Sequence, residues 1–208
     1  MPVTRFDHLA ITAPTLAAGA DFVRAALGVE MRPGGSHPRM GTHNLLLRLG
    51  DGVYLEVIAV DPAAPPPGRP RWFDLDALAP DAPPRLAAWV ARTDDIHTAA
   101  AASPEPLGSV EPMSRGALHW LITVPADGRP PLAGAAPHLI HWQADPHPAA
   151  RLPDSGCTLA GLDLSHPEPD RVAGVLAAVG FAGPVAVRPG PSGLAARVDT
   201  PAGRRTLG

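Results

Sequence analysis

Two stretches decide how this chain is read: Phe6-Asp7-His8-Leu9-Ala10-Ile11-Thr12 and Val53-Tyr54-Leu55-Glu56-Val57-Ile58-Ala59-Val60. Both have the apolar, branched character of strands. Period 2 puts His8, Ala10 and Thr12 on one face of the first, and Tyr54, Glu56 and Ile58 on one face of the second. A histidine and a carboxylate, each able to bind a metal, are thus set among apolar neighbours. Burying an unpaired charge is costly, so Glu56 is expected to meet a metal, a cation or a hydrogen-bonding ligand. Between the two stretches lies a helical pattern from Thr15 to Leu27, closed by Gly28, and a further strand pattern from His43 to Leu49. The unit reads strand, helix, strand, strand, strand.

Helix starts and closing glycines reveal an internal repeat. Ala87 to Thr93 reads as a strand, Asp94-Asp95 as helix caps and Ile96 to Ala102 as a helix, closing at Pro106-Leu107-Gly108. Strands are then predicted at about Leu107 to Val110, Ala117 to Val124 and His138 to Gln143. A third copy runs from the strand Leu159 to Leu164 through a helix at Pro167 to Val179, stopped by Gly180, to strands at Val185 to Arg188, Leu194 to Asp199 and Arg204 to Leu207. Proline-rich Pro62 to Pro84 and the segment Asp145 to Gly156 separate the three units. Trp72 and Phe73 are expected to tie the first of these loops to a surface, and Pro125 to Pro137 is a Gly/Pro-rich insertion. The predicted fold class is α+β: βαβββ units at about 6–60 and 86–143 pair into a half-open barrel within a domain spanning 1–148, and 157–208 form a smaller βαβββ-like unit. An open sheet edge on the third unit should be covered by another unit or by a second chain, a homodimer being one such assembly.

At 208 residues the chain is long enough for a substantial core. A net charge of -3 with 18% charged residues gives no footprint for nucleic acid. All seventeen basic residues are Arg, in an Ala/Pro/Gly-rich composition that fits a GC-rich bacterial genome. The single cysteine, Cys157, excludes an internal disulfide framework and reads as a structural thiol. With no signal-like h-region and no apolar run near 18 residues, the expectation is a cytoplasmic protein without membrane contact.

The duplicated unit, together with Phe6-Asp7-His8, the run Gly34-Gly35-Ser36-His37-Pro38-Arg39-Met40-Gly41-Thr42-His43-Asn44, Tyr54-Leu55-Glu56 and His138-Leu139-Ile140-His141-Trp142-Gln143 followed by His147-Pro148, resembles the glyoxalase-like proteins of the vicinal oxygen chelate superfamily. The resemblance spans roughly Phe6 to Pro148. It implies a pocket between paired units and places metal ligands on first and last strands: His8 and Glu56 in unit one, His141 in unit two. The position matching His8 in unit two falls at Ala88, so the four-ligand set of glyoxalase I is incomplete. Two imidazoles and a carboxylate would suit Fe, Mn, Zn or Ni and leave positions open for a chelating substrate.

A metal-free pocket is the competing expectation. Arg48 shares a face with Asn44 and Leu46 and would neutralise Glu56 as a buried ion pair, leaving His141 a hydrogen-bonded core histidine. In the metal-dependent reading His37 is expected as an acid/base group or oxyanion donor with Glu56 in the catalytic machinery, and Asn44, Arg48 and His119 as substrate-orienting groups. Trp120 should then pack on the helix while His119 faces the pocket. His97, His138, His147 and His166 are expected at the surface or as caps. The function expected is a divalent-metal-dependent lyase, isomerase or dioxygenase acting on a small oxygen-bearing organic molecule, with a binding protein that sequesters such a molecule without turnover as the alternative.

Overall fold

A computed structural model describes residues 2–143 and 146–208. Met1 and Ala144-Asp145, the latter at the start of the expected second linker, lie outside them. The first unit consists of β1 (Thr4–Thr12), α1 (Leu16–Leu27), β2 (Arg32–His37), β3 (Thr42–Arg48) and β4 (Tyr54–Val60). Thr15 caps α1 by accepting from the Ala18 N–H, and Gly28 closes it in the left-handed conformation, φ 74°, which glycine adopts without a side-chain clash. The second unit repeats the order in β5 (Arg85–Thr93), α2 (Ile96–Ala102), β6 (Ser109–Arg115), β7 (Leu118–Val124) and β8 (His138–Trp142). Asp95 caps α2 through the Thr98 N–H.

The strands form one sheet in the order β2-β3-β4-β1-β5-β8-β7-β6. β1 is parallel to β4, β5 is parallel to β8, and antiparallel β1 and β5 join the units at the centre, with Ala10 opposite Ala88. The edge strands β2 and β6 approach one another, so the sheet curls into a half-open barrel. β6 carries Pro112, which an edge strand tolerates because a missing N–H there breaks no inner ladder. It starts and ends later than its sequence pattern suggested.

Leu9, Ile11, Leu55, Val57, Trp89 and Leu139 turn to the convex side and pack on α1 and α2. Ala10, Ile58, Ala88, Val90, Ile122 and Ile140 turn to the concave side beneath Trp72 and Phe73. Trp72–Ala77, a short 3-10 segment in the long proline-rich loop, therefore roofs the concave face. Phe73 and Asp74 both sit at φ 59°, an uncommon conformation for residues with a Cβ, and the Asp74 N–H is held by the Gly128 carbonyl at 2.9 Å.

β9 (Thr158–His166), α3 (Pro169–Ala178), β10 (Phe181–Ala182), β11 (Val185–Pro189), β12 (Gly193–Thr200) and β13 (Gly203–Leu207) follow. Two-residue β10 adds to the main sheet beside β1, and the other four strands form a second sheet ordered β11-β9-β12-β13. The third unit thus keeps the order of elements along the chain but not the pairing. Its first strand, β9, is internal, whereas β1 lies beside the last strand of its own unit. Leu162, Leu164, Ala196, Val198 and Leu207 share the convex-side core with the first two units. Among the described residues no helix is long and apolar enough to cross a membrane.

Candidate active site

The concave face holds a cavity of about 370 Å³, its open mouth included, bounded by His8, His37, Asn44, Glu56, Arg115 and aromatic side chains. A β-bulge builds its floor. The β1–β5 register steps from Phe6 opposite Ala91 to His8 opposite Val90, leaving Asp7 as the extra residue. Phe6 therefore stays on the convex side, stacked on Trp89 at 5.2 Å, while Asp7 and His8 both serve the pocket side. His8 lies flat on Tyr54, ring centres 4.5 Å apart.

Asp7 is fully buried and saturated. One oxygen pairs with His8 Nδ1 at 2.6 Å; the other accepts from Trp142 Nε1 at 3.0 Å and His147 Nε2 at 2.9 Å, with Arg92 at 3.7 Å. His147 Nδ1 accepts the Ala149 N–H, which leaves Nε2 as the protonated nitrogen facing Asp7. Burial alone would raise the carboxyl pKa of Asp7. The hydrogen bonds from His147 and His8 overcome this and hold it well below the usual carboxylate range. The Asp7 carboxylate thus fixes the His8 tautomer and turns Nε2 into the cavity.

There His8 Nε2 stands 3.7 Å from Glu56 Oε2. Glu56 Oε1 accepts from Asn44 Nδ2 at 2.5 Å, and Asn44 Oδ1 accepts from the Gly35 N–H at 2.9 Å and from Arg115 at 3.0 Å. His37 Nδ1 pairs with Thr42 Oγ1 at 3.1 Å, and its Nε2 lies 3.5 Å from Asn44 Nδ2. Burial pushes the His37 pKa down to about 4, so its imidazole is neutral at pH 7. Tyr54 is also held neutral: burial first, then the charges of Asp7 and Glu56, push its phenol well above its ordinary value. A continuous polar chain, Arg115–Asn44–Glu56–His8–Asp7–His147, runs across an otherwise aromatic cavity.

His8, His37, Asn44 and Glu56 are thereby brought together. Three other expected residues are not. His141 follows Leu139 to the convex side and bonds the Thr93 carbonyl through Nδ1 at 3.0 Å, while its neighbours Ile140 and Trp142 line the cavity. Arg48 does not reach Glu56; it bonds Asp51 at 2.6 Å and the Gly50 carbonyl at 3.2 Å in the turn after β3. His119 is exposed and Trp120 faces the cavity, the reverse of the expected assignment. His138, expected near the surface, is buried, donates to the Thr123 carbonyl at 3.0 Å, and is pushed down to about 4 by burial. His147 is a cap, as expected, and a partner of Asp7 as well.

His8 and Glu56 are the metal-capable pair of this pocket. Unit two offers Ala88, Val90 and Ile140 on its concave side, and among the described residues no third His, Cys, Asp or Glu joins a cluster able to hold an ion. The protein donors do not make up the three-ligand set usual for a catalytic metal. Asp7, Arg115, Trp72, Trp120, Trp142 and His147 were not singled out from the sequence as site residues. Asp7 reaches the site only through the β1 bulge, which strand alternation does not reveal.

The paired units and their concave pocket have the architecture of a glyoxalase-like fold. The chain belongs to the glyoxalase-like domain family, whose model matches residues 6–180, further than the initial resemblance reached. A hypothetical protein from Staphylococcus aureus shares the fold, with a TM-score of 0.65 at 12% identity, covering 92% of this chain and 88% of that one. Looser likenesses link it to a methylmalonyl-CoA epimerase in complex with methylmalonyl-CoA and NH4+ (TM-score 0.46, 19% identity, 68% and 96% covered). A variant Streptomyces coelicolor methylmalonyl-CoA epimerase in complex with 2-nitronate-propionyl-CoA is as distant (0.46, 20%, 68% and 96%). No curated protein matches the sequence.

Proposed function

We propose that this protein is a glyoxalase-like enzyme that moves a proton at a carbon next to a carbonyl or carboxyl group of a small oxygen-bearing molecule. One observation carries the reading: buried Glu56 and His8 present Oε2 and Nε2 to the same point, 3.7 Å apart, each fixed from behind by a neighbour. Glu56 Oε2 takes the proton from carbon, and Asn44, donating to Oε1, keeps that oxygen aimed at the cavity. His8 Nε2 is the second proton station, its orientation set by Asp7. Neutral His37, its Nε2 facing the Asn44 amide nitrogen, backs Asn44 in its place beside Glu56. The aromatic walls keep water away from the carbanion.

Incubating the protein in D2O with a panel of 2-oxo acids, 2-hydroxy acids and malonate-type acids tests this by NMR. Catalysed loss of a C–H signal from a panel member supports the enzyme reading; tight binding of a member with no exchange would leave the binding-protein alternative ahead.

A divalent ion is the second reading, favoured by the bracing of His8, because metal-binding imidazoles commonly donate their other ring N–H to a carboxylate. His8 and Glu56 would hold it, and it would supply Lewis-acid stabilisation of the oxyanion. Elemental analysis of protein purified without chelators, alongside Glu56→Gln, tests it: stoichiometric Fe, Mn, Zn or Ni that the variant lacks supports it, and no metal in either removes it.

A further inference from the structure

Arg115 is the cation of the pocket, and its charge is unspent. It ends β6 and reaches across the mouth to the opposite half, where one of its five N–H donors goes to the neutral amide oxygen of Asn44 at 3.0 Å. Among the described residues no carboxylate pairs with it. Nearby Glu111, on the same strand, is by contrast clamped by Arg39 and Arg69, each at 2.6 Å. The fold makes room for the Arg115 side chain: a Cβ on Gly35 would lie 2.7 Å from Arg115 Cδ, and a Cβ on Gly34 would collide with Asn44 Oδ1. The glycine pair thus admits both Arg115 and the amide that orients it. A half-buried guanidinium held in place by a neutral partner, with donors left over, is suited to bind an anion bidentately.

The walls beside it are equally selective. Three of the four tryptophans in the chain (Trp72, Trp120 and Trp142) and its single tyrosine, Tyr54, line this one cavity. Such walls favour an apolar, planar body, and the enclosed space between them is narrow, so that body is small.

We propose that Arg115 is the substrate-binding anion receptor of this pocket and that the ligand is a small planar carboxylate, its carboxylate on the guanidinium and its body between the aromatic side chains. This deepens the proton-transfer reading and rests on it for the place of the chemistry, but binding alone decides it.

The probes are benzoate and its neutral isostere benzamide, titrated by tryptophan fluorescence and calorimetry. The wild-type protein is expected to bind benzoate at least about tenfold more tightly than benzamide, from hydrogen bonds to a charged group. Arg115→Gln should lose that preference while still binding benzamide. The preference is read without turnover, so a wild-type protein that prefers benzoate yet exchanges no C–H in D2O keeps this claim while the proton-transfer one fails. Equal binding of the two probes, no binding of either, or a preference that survives Arg115→Gln would overturn the proposal. Should Arg115→Gln fail to fold by circular dichroism, a crystal structure of the wild type with benzoate decides: a carboxylate on the Arg115 guanidinium supports the assignment, and a carboxylate placed elsewhere refutes it.

Discussion

Replacing Asp7 by Asn keeps the shape of the residue and removes the charge on which His8, Trp142, His147 and Arg92 converge. Asp7 is fully buried, so nothing from solvent replaces the lost interactions. Removing one partner from a buried charge network costs about 3 kcal/mol or more, which for a chain of this size lowers Tm by about 6–12 °C. The pH dependence has a definite sign. The folded carboxyl is held below its unfolded value near 3.8, so its contribution is complete above that value and is lost as pH falls through the acid range towards the folded one. Urea denaturation of both proteins at pH 7 and pH 3 should show the wild-type advantage shrinking by about 1 kcal/mol at pH 3. A deficit under about 1 kcal/mol at pH 7, or one of equal size at both pH values, would refute the claim that a charged Asp7 organises the floor of the pocket.

Burial lowers the folded pKa of both His37 and His138 to about 4, from an ordinary 6.5. Between those values the unfolded chain takes up protons that the folded one refuses, so stability should fall as pH drops from about 6.5 to 4, by roughly 3 kcal/mol per histidine; NMR titration should find both imidazoles neutral at pH 5.5, and His37→Gln should flatten the slope. Gly34→Ala pushes a methyl group into Asn44 Oδ1 and should cost about 1–3 kcal/mol together with the proton-exchange activity, read by urea unfolding and the D2O assay. Ending the chain after Asp154 strips Leu162, Leu164, Val198 and Leu207 from the shared core. The shortened protein should therefore melt lower or aggregate, and sedimentation and calorimetry showing unchanged stability and assembly would count against a structural role for the last unit.

Strand alternation carried most of the legible information. The faces of β4 follow period 2 without interruption, so Glu56 and Ile58 turn to the cavity and Leu55 and Val57 to the helices, as their order implies. Thr15, Gly28 and Asp95 announced the ends of the helices because capping is local chemistry. His8 was also readable, but Asp7 was not: strict alternation sends it to the convex face, and only the bulge brings it round. His141 illustrates the opposite error. Its grouping with Leu139 was correct, and that grouping turns it away from the site, since Leu139 belongs to the helix-side core. Trp120 and His119 were exchanged because a tryptophan was expected to seek the helices, whereas this concave face is itself aromatic. Arg115 ends an edge strand at a hairpin, where no periodicity marks the inward direction, and its partner Asn44 lies 71 positions away in the chain. The third unit repeats a run of elements, and sequence order alone does not reveal that β9 inserts between β11 and β12.

The central claim is that Glu56 Oε2 takes the proton. Once an exchanging acid has been found, its rate of C–H to C–D exchange is measured with the wild type and with Glu56→Gln at pH 7, each shown by circular dichroism to be folded. The variant is expected to lose about 100-fold to 10,000-fold in rate, the range general acid–base catalysis contributes, while still binding the acid. Exchange by Glu56→Gln at the wild-type rate would contradict it.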